Sequence, residues 1–205
     1  MDQGIVATFS GVKRGDIEEK GTRHPKACIW INRMEGMFLG GQLIEYHLWA
    51  NQRVFNHLKE LPSEICFQEV KSVFPSLYET LFHMYQTDYT WLRTIRGDSF
   101  DEVVAGVAQL SKEKSERNLE KLEQNYIELG GQYLEFIKSK ELNEQTSIQH
   151  PSYGTLTTSY SELFHHVANH GTYHRGNLTA ILRQIGYKGI PTDYIFFLYE
   201  KNTNS

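Results

Sequence analysis

Leu163, Val167, His170, His174, Leu178, Ile181 and Ile185 recur at steps of four or three residues, and no other feature constrains the fold of this chain so narrowly. A 3.6-residue period aligns such positions on one face of a helix, and an apolar face of this length has to be buried against other helices. Two positions on the stripe carry imidazole where a packed helix normally places Leu or Val. Four helical residues rise about 6 Å, so His170 and His174 lie one above the other and can chelate one divalent ion. Spacing alone leaves a second reading open, in which each imidazole simply hydrogen-bonds across a core. Two histidines also supply only two ligands. A catalytic metal usually takes a third and leaves one position open, so the third must come from another helix.

The rest of the chain predicts what that helix packs against. A first core helix is expected over about 38–60 from Leu43, Tyr46, Trp49 or Ala50, Val54, His57, Leu58 and Leu61, with Pro62 as its stop. A second is expected over about 74–96, with Ser72 as cap, Pro75 in the first turn, Gly97 at the exit, and a stripe of Leu77, Leu81, Met84, Trp91, Leu92 and Ile95. Leu119, Leu122, Tyr126, Leu129, Tyr133 and Phe136 predict a third helix over about 111–138. Gly130-Gly131 interrupts that pattern at about 1 kcal/mol per glycine relative to alanine, which predicts a kink or an early end. Residues 143–158 alternate Thr, Ile, Tyr and Leu around Pro151 and Gly154, the pattern of a short irregular hairpin or crossover. Ser159-Tyr160-Ser161-Glu162 is a capping-box sequence and starts the fourth helix, which ends at Gly186. A short helix over about 193–201 follows Pro191. The expected fold is all-α: an antiparallel four-helix bundle with a long crossover before the last core helix and a short C-terminal helix.

Residues 1–36 stand apart as Gly-rich and charged, and are expected to form a poorly ordered extension to a domain over 37–205. Met34 and Met37 would serve as alternative starts. The rival reading tucks Trp30 against the bundle.

The chain has nine histidines. His24 lies in the unpatterned extension and His150 in a loop before proline. His57 sits near a helix end, where the dipole favours a positive ring. His47, His165 and His166 are ambiguous, and His166 extends a ladder with His170 and His174 but falls at the border of the stripe, since successive members drift about 40°. The best third ligand is His83. Periodicity places it on the flank with Thr80, Thr87 and Thr94, which faces inward if the second helix has a neighbour there and outward if it does not.

Composition narrows the function. The formal net charge of −4, without a basic block, gives no electrostatic reason to bind nucleic acid or an anionic membrane. Cys28 and Cys66 stand far apart and outside any CxxC, which fits a reducing cytoplasm and excludes a disulfide framework or a cysteine zinc site. No uncharged run approaches the ~20 residues that span a bilayer. Lys13, Arg14, Asp16, Glu18, Glu19 and Lys20, without an apolar stretch, predict that the N-terminus is not a secretory signal.

Asn169-His170-Gly171-Thr172-Tyr173-His174-Arg175-Gly176-Asn177, running into Leu182-Arg183-Gln184-Ile185-Gly186, resembles the signature last helix of the DinB/YfiT-like superfamily. These are bacterial metal-binding four-helix bundles, unrelated to the DNA polymerase that shares the name. His83 followed eight residues later by Trp91, Trp49-Ala50-Asn51 and Asp193-Tyr194-Ile195 are similar to the family's second-helix, first-helix and closing motifs. The resemblance covers about 38–200. Asn177, where the family often has glutamine, and the extension 1–36 are departures, and neither is expected to touch a proposed ligand.

The resemblance implies metal ligands at His83, His170 and His174. Three neutral imidazoles with an open position suit Zn²⁺ or Ni²⁺. It further implies a metal-dependent transferase that presents a low-molecular-weight thiol, of the bacillithiol type, to a small electrophile, and a homodimer. Arg175 is then a group that lines the pocket or supports a ligand from behind, or else a surface salt-bridge arginine. Two alternatives stay open: a non-enzymatic bundle induced by stress or DNA damage, with a structural ion, and a metal-dependent hydrolase. No HExxH and no carboxylate at general-base spacing supports the hydrolase.

Overall fold

The structure, a computed structural model, describes the backbone of residues 25–203 and the side chains of residues 40–203 other than Glu113. The described residues fold into α1 (Pro25–Lys59), α2 (Leu77–Arg96), α3 (Phe100–Glu113), α4 (Leu119–Lys138), β1 (Gln145–His150), β2 (Gly154–Ser159), α5 (Tyr160–Gln184) and α6 (Tyr194–Thr203), with short 3₁₀ turns at Ser63–Phe67 and Lys114–Glu116. Residues 1–24 of the expected extension, with His24, lie outside the described residues. From Pro25 onward the backbone is already helical, ahead of the apolar pattern that predicts a start near 38.

Local chemistry sets the helix ends. The Ser76 hydroxyl accepts from the Glu79 N–H at 3.1 Å, so Ser76 rather than Ser72 caps α2. Gly97, at φ 93°, ends it in a left-handed conformation that a side chain would resist. Ser159 caps α5 by accepting from the Glu162 N–H at 3.2 Å.

Two details of the predicted third helix differ. Residues 100–113 form a separate helix, α3, opened by a full capping box between Ser99 and Glu102. The glycine pair does not end α4, which runs through it to Lys138. A Cβ at Gly130 would stand 2.9 Å from Leu48 Cδ2, so this glycine lets α4 approach α1 closely.

The four longest helices enclose one core. α5 packs on α1 and α2, and α4 packs on both of those as well. Ile44, Phe55 and Leu58 of α1, Leu81, Met84 and Leu92 of α2, Leu122 and Leu129 of α4, and Phe164, Val167, Leu178 and Ile181 of α5 are all buried there. Burial of each such side chain contributes about 1.5–3 kcal/mol. The phenols of α4 carry their polar ends into α2, where Tyr126 donates to the Leu81 carbonyl at 3.0 Å and Tyr133 to the Asp88 carbonyl at 2.7 Å. The crossover is a regular antiparallel hairpin with Gln145 opposite Ser159 and His150 opposite Gly154, and it is mostly exposed. Among the described residues no helix is long and apolar enough to cross a membrane.

Candidate metal centre

His83 from α2 meets His170 and His174 from α5. One nitrogen of each ring falls within a set whose members all lie within 4.8 Å of one another, a group that could hold a metal ion. The Nε2 atoms of His170 and His174 stand 3.0 Å apart. Two nitrogens bound to zinc at about 2.0–2.1 Å in a tetrahedron would stand about 3.3 Å apart, so a slight opening of the pair admits the ion. The His83 ring centre is 4.7 Å from that of His174 and 5.5 Å from that of His170. The flank that carries His83 therefore points inward, as its buried neighbour Thr80 also shows. His174 is buried and the other two are half-buried, so the group opens to the surface on the side of His83 and His170.

The electrostatics favour ligation. Burial pushes the His170 and His174 imidazoles down to about 4, helped at His170 by His174 and at His174 by His83, since neighbouring rings disfavour each other's charge. Burial also lowers His83, with a partial offset from the nearby Asp88 carboxylate. All three rings are thus neutral at ordinary pH and keep a lone pair for a metal.

Asn177 does reach a ligand, contrary to expectation, because the Nδ2 end of its side-chain amide, which can exchange places with Oδ1 by a flip, lies 3.3 Å from Nδ1 of His174. With the amide oxygen turned toward an Nδ1–H, the Nε2 lone pair is left free for the ion. Phe74, from the loop before α2, lies 4.8 Å from the His83 ring and 5.5 Å from the His174 ring, and so covers part of the group with an apolar surface.

Behind the ligands lies a second polar cluster that periodicity did not reveal. His47 of α1 and Asp88 of α2 are both buried, with Nε2 and Oδ2 2.7 Å apart. Arg175, only 2 % exposed, approaches Nδ1 of His47 at 3.3 Å and donates to Asn51 Oδ1 at 2.9 Å, Thr172 Oγ1 at 2.8 Å and the Tyr46 hydroxyl at 3.3 Å. Tyr46 in turn donates to the Thr192 carbonyl at 2.9 Å. The His47 tautomer protonated on Nε2 satisfies both Asp88 and Arg175. Arg175 is therefore an interior residue, not a surface salt bridge; both of its Nη atoms are engaged by the protein, while its buried Nε has no hydrogen-bond partner. A signal for this cluster did exist in the sequence: Asp88 continues the buried series Leu81, Met84, Leu92 and Ile95, where a charge signals a buried partner.

The remaining histidines have other partners. His166 is exposed and packs at a tilt against Trp91, ring centres 4.5 Å apart, with its ring 6.3 Å from that of His170 and outside the metal-competent group. His57 lies 3.1 Å from the Lys188 carbonyl, and His150 Nδ1 accepts from the Ser152 N–H. Cys66 is fully buried and its thiol is pushed up to about 11 by burial, which makes it a poor nucleophile.

The family model described as the DinB family matches residues 33–204. The chain is also similar to "Protein DinB" of Bacillus subtilis (strain 168), at 45 % identity over 163 residues, covering 79 % of this chain and 95 % of that protein.

Proposed function

The chain belongs to the DinB family, and from that premise we propose that it is a metal-dependent thiol transferase acting through His83, His170 and His174. The observation that carries the reading is the convergence of three neutral imidazoles from two helices at a half-exposed face. Such a donor set suits Zn²⁺ or Ni²⁺ with a fourth position left for an exogenous ligand. When bound, the ion supplies Lewis-acid chemistry that lowers the pKa of a coordinated thiol.

The chain's own residues do the rest. The three histidines fix the site on rigid helices, Asn177 orients His174, and Phe74 keeps water from part of the group. A buried Cys66 supports a sulfur nucleophile brought in with a small thiol, of the bacillithiol type, rather than supplied by that side chain. Hydrolysis has less support, because the nearby carboxylate, Asp88, is buried against His47 and is not placed to accept a proton from water.

The test incubates protein purified without a nickel column, its metal content known from elemental analysis, with a low-molecular-weight thiol and monochlorobimane. Conjugation that is lost with a chelator and restored by added metal is the expected result. Metal-loaded protein with no rate above background would overturn the transferase reading, and unfolding on metal removal would instead mark the ion as structural.

A further inference from the structure

Gly171 lies between the two ligands of α5, and its α-carbon faces α1. A Cβ built there would stand 2.3 Å from Cε1 and 2.4 Å from Nδ1 of His47, and 2.8 Å from Nη1 of Arg175. Non-bonded carbons do not approach to 2.3 Å, so the His47 ring lies directly against the backbone of α5. The ring has little room to yield, because it is held at 2.7 Å from Asp88 on α2 and 3.3 Å from Arg175. Gly176, five residues on, has nothing within 4 Å of its position; α1 also comes close to α5 where Gly40 faces Ser161, but within the segment that carries the ligands the close contact falls at Gly171.

We infer that His47 and Gly171 are positioning residues, whose contact sets the depth and rotation of α5 so that His170 and His174 face His83. This rests on the reading that the three histidines bind a metal. The imidazole acts as a spacer pinned to α2 by Asp88, the helix that also carries His83. The ligand pair and the third ligand are therefore referenced to the same element.

The experiment measures Co²⁺ affinity and the visible spectrum of the Co²⁺ protein for the wild type, Gly171→Ala, His47→Ala, the double variant and Gly176→Ala, with circular dichroism as the folding control. Wild-type protein that takes up no metal would refute the ligand reading itself. Given wild-type binding, Gly171→Ala is expected to lose about tenfold or more in affinity, the range seen when groups orienting a ligand are disturbed, with an altered spectrum. Gly176→Ala is expected to match the wild type. The double variant is expected to match His47→Ala, because the two closest contacts of the added methyl are with the His47 ring and the third is with the far end of the Arg175 side chain, which can shift once that ring is gone. Wild-type affinity and spectrum in Gly171→Ala, or no recovery in the double variant, overturn the inference. Should Gly171→Ala fail to fold, His47→Ala and the double variant are compared directly. Equal affinity supports the inference and a further drop overturns it.

Discussion

The three-histidine group and the cluster around His47 both place polar side chains among the apolar faces of the same helices, yet they are opposite in kind. Around His47 unlike faces unlike: a carboxylate on one side of the ring, a guanidinium on the other, and an amide, a hydroxyl and a phenol beside the two Nη atoms of that guanidinium, whose Nε has no hydrogen-bond partner. Around His83 like faces like. Three imidazoles meet, burial disfavours the charge on each, His83 adds to this at His174 and both add to it at His170, and Nε2 of His170 faces Nε2 of His174. A buried polar cluster that satisfies itself holds helices in place, whereas one that converges lone pairs is arranged for something from outside. Arg175 and His174 are adjacent in sequence, yet each belongs to a different cluster.

The comparison breaks most directly at the ligands. His170→Ala or His174→Ala is expected to abolish stoichiometric metal binding by elemental analysis, and full occupancy in either would end the assignment. The inner cluster is expected to fail in a different way. Asp88→Ala leaves His47 and Arg175 without their carboxylate, and removal of one partner of a buried pair costs about 3–5 kcal/mol. A denaturation midpoint near that of the wild type would show that the pair contributes little to holding α1 on α2.

Acid sharpens the contrast. His170 and His174 titrate at about 4 in the fold, against about 6.5 for a free imidazole. Between those values the unfolded chain binds protons that the fold does not, so stability rises with pH. The metal-free protein should thus lose stability as pH falls from about 6.5 to about 4. Metal affinity, expected from free imidazole to weaken near pH 6.5, should instead persist until the pH approaches about 4. Metal release centred at pH 6.5 in a titration would show that burial does not depress these rings. The smallest effect is expected at Asn177→Ala, which leaves all three ligands and removes one orienting contact, for about a tenfold loss of metal affinity. Unchanged affinity would mean that packing alone orients His174.

Much of the fold was legible in the chain, because helix period, caps and breakers are local properties. The stripe from Leu163 to Ile185, the Ser159 cap, the hairpin around Pro151 and Gly154, and the stop at Pro62 all reappear in the structure. α3 was missed although Ser99 and Glu102 spell a capping box, because the longer pattern after Leu119 dominated the reading. The glycines misled for a different reason. Sequence gives their cost in a helix, but not the neighbour that makes them necessary, as Leu48 does at Gly130 and His47 at Gly171.

By itself, the sequence determined that this protein is mostly helical and that His170 and His174 share the inner face of its last long helix, since 3.6-residue periodicity is set within one segment. The tertiary structure decided that His83 turns toward them, that Asn177 touches His174, and that Asp88 and Arg175 close on His47. Those contacts depend on how far each helix is rotated about its axis and slid along its neighbour. No single segment encodes that offset; it comes from the packing of all four long helices at once.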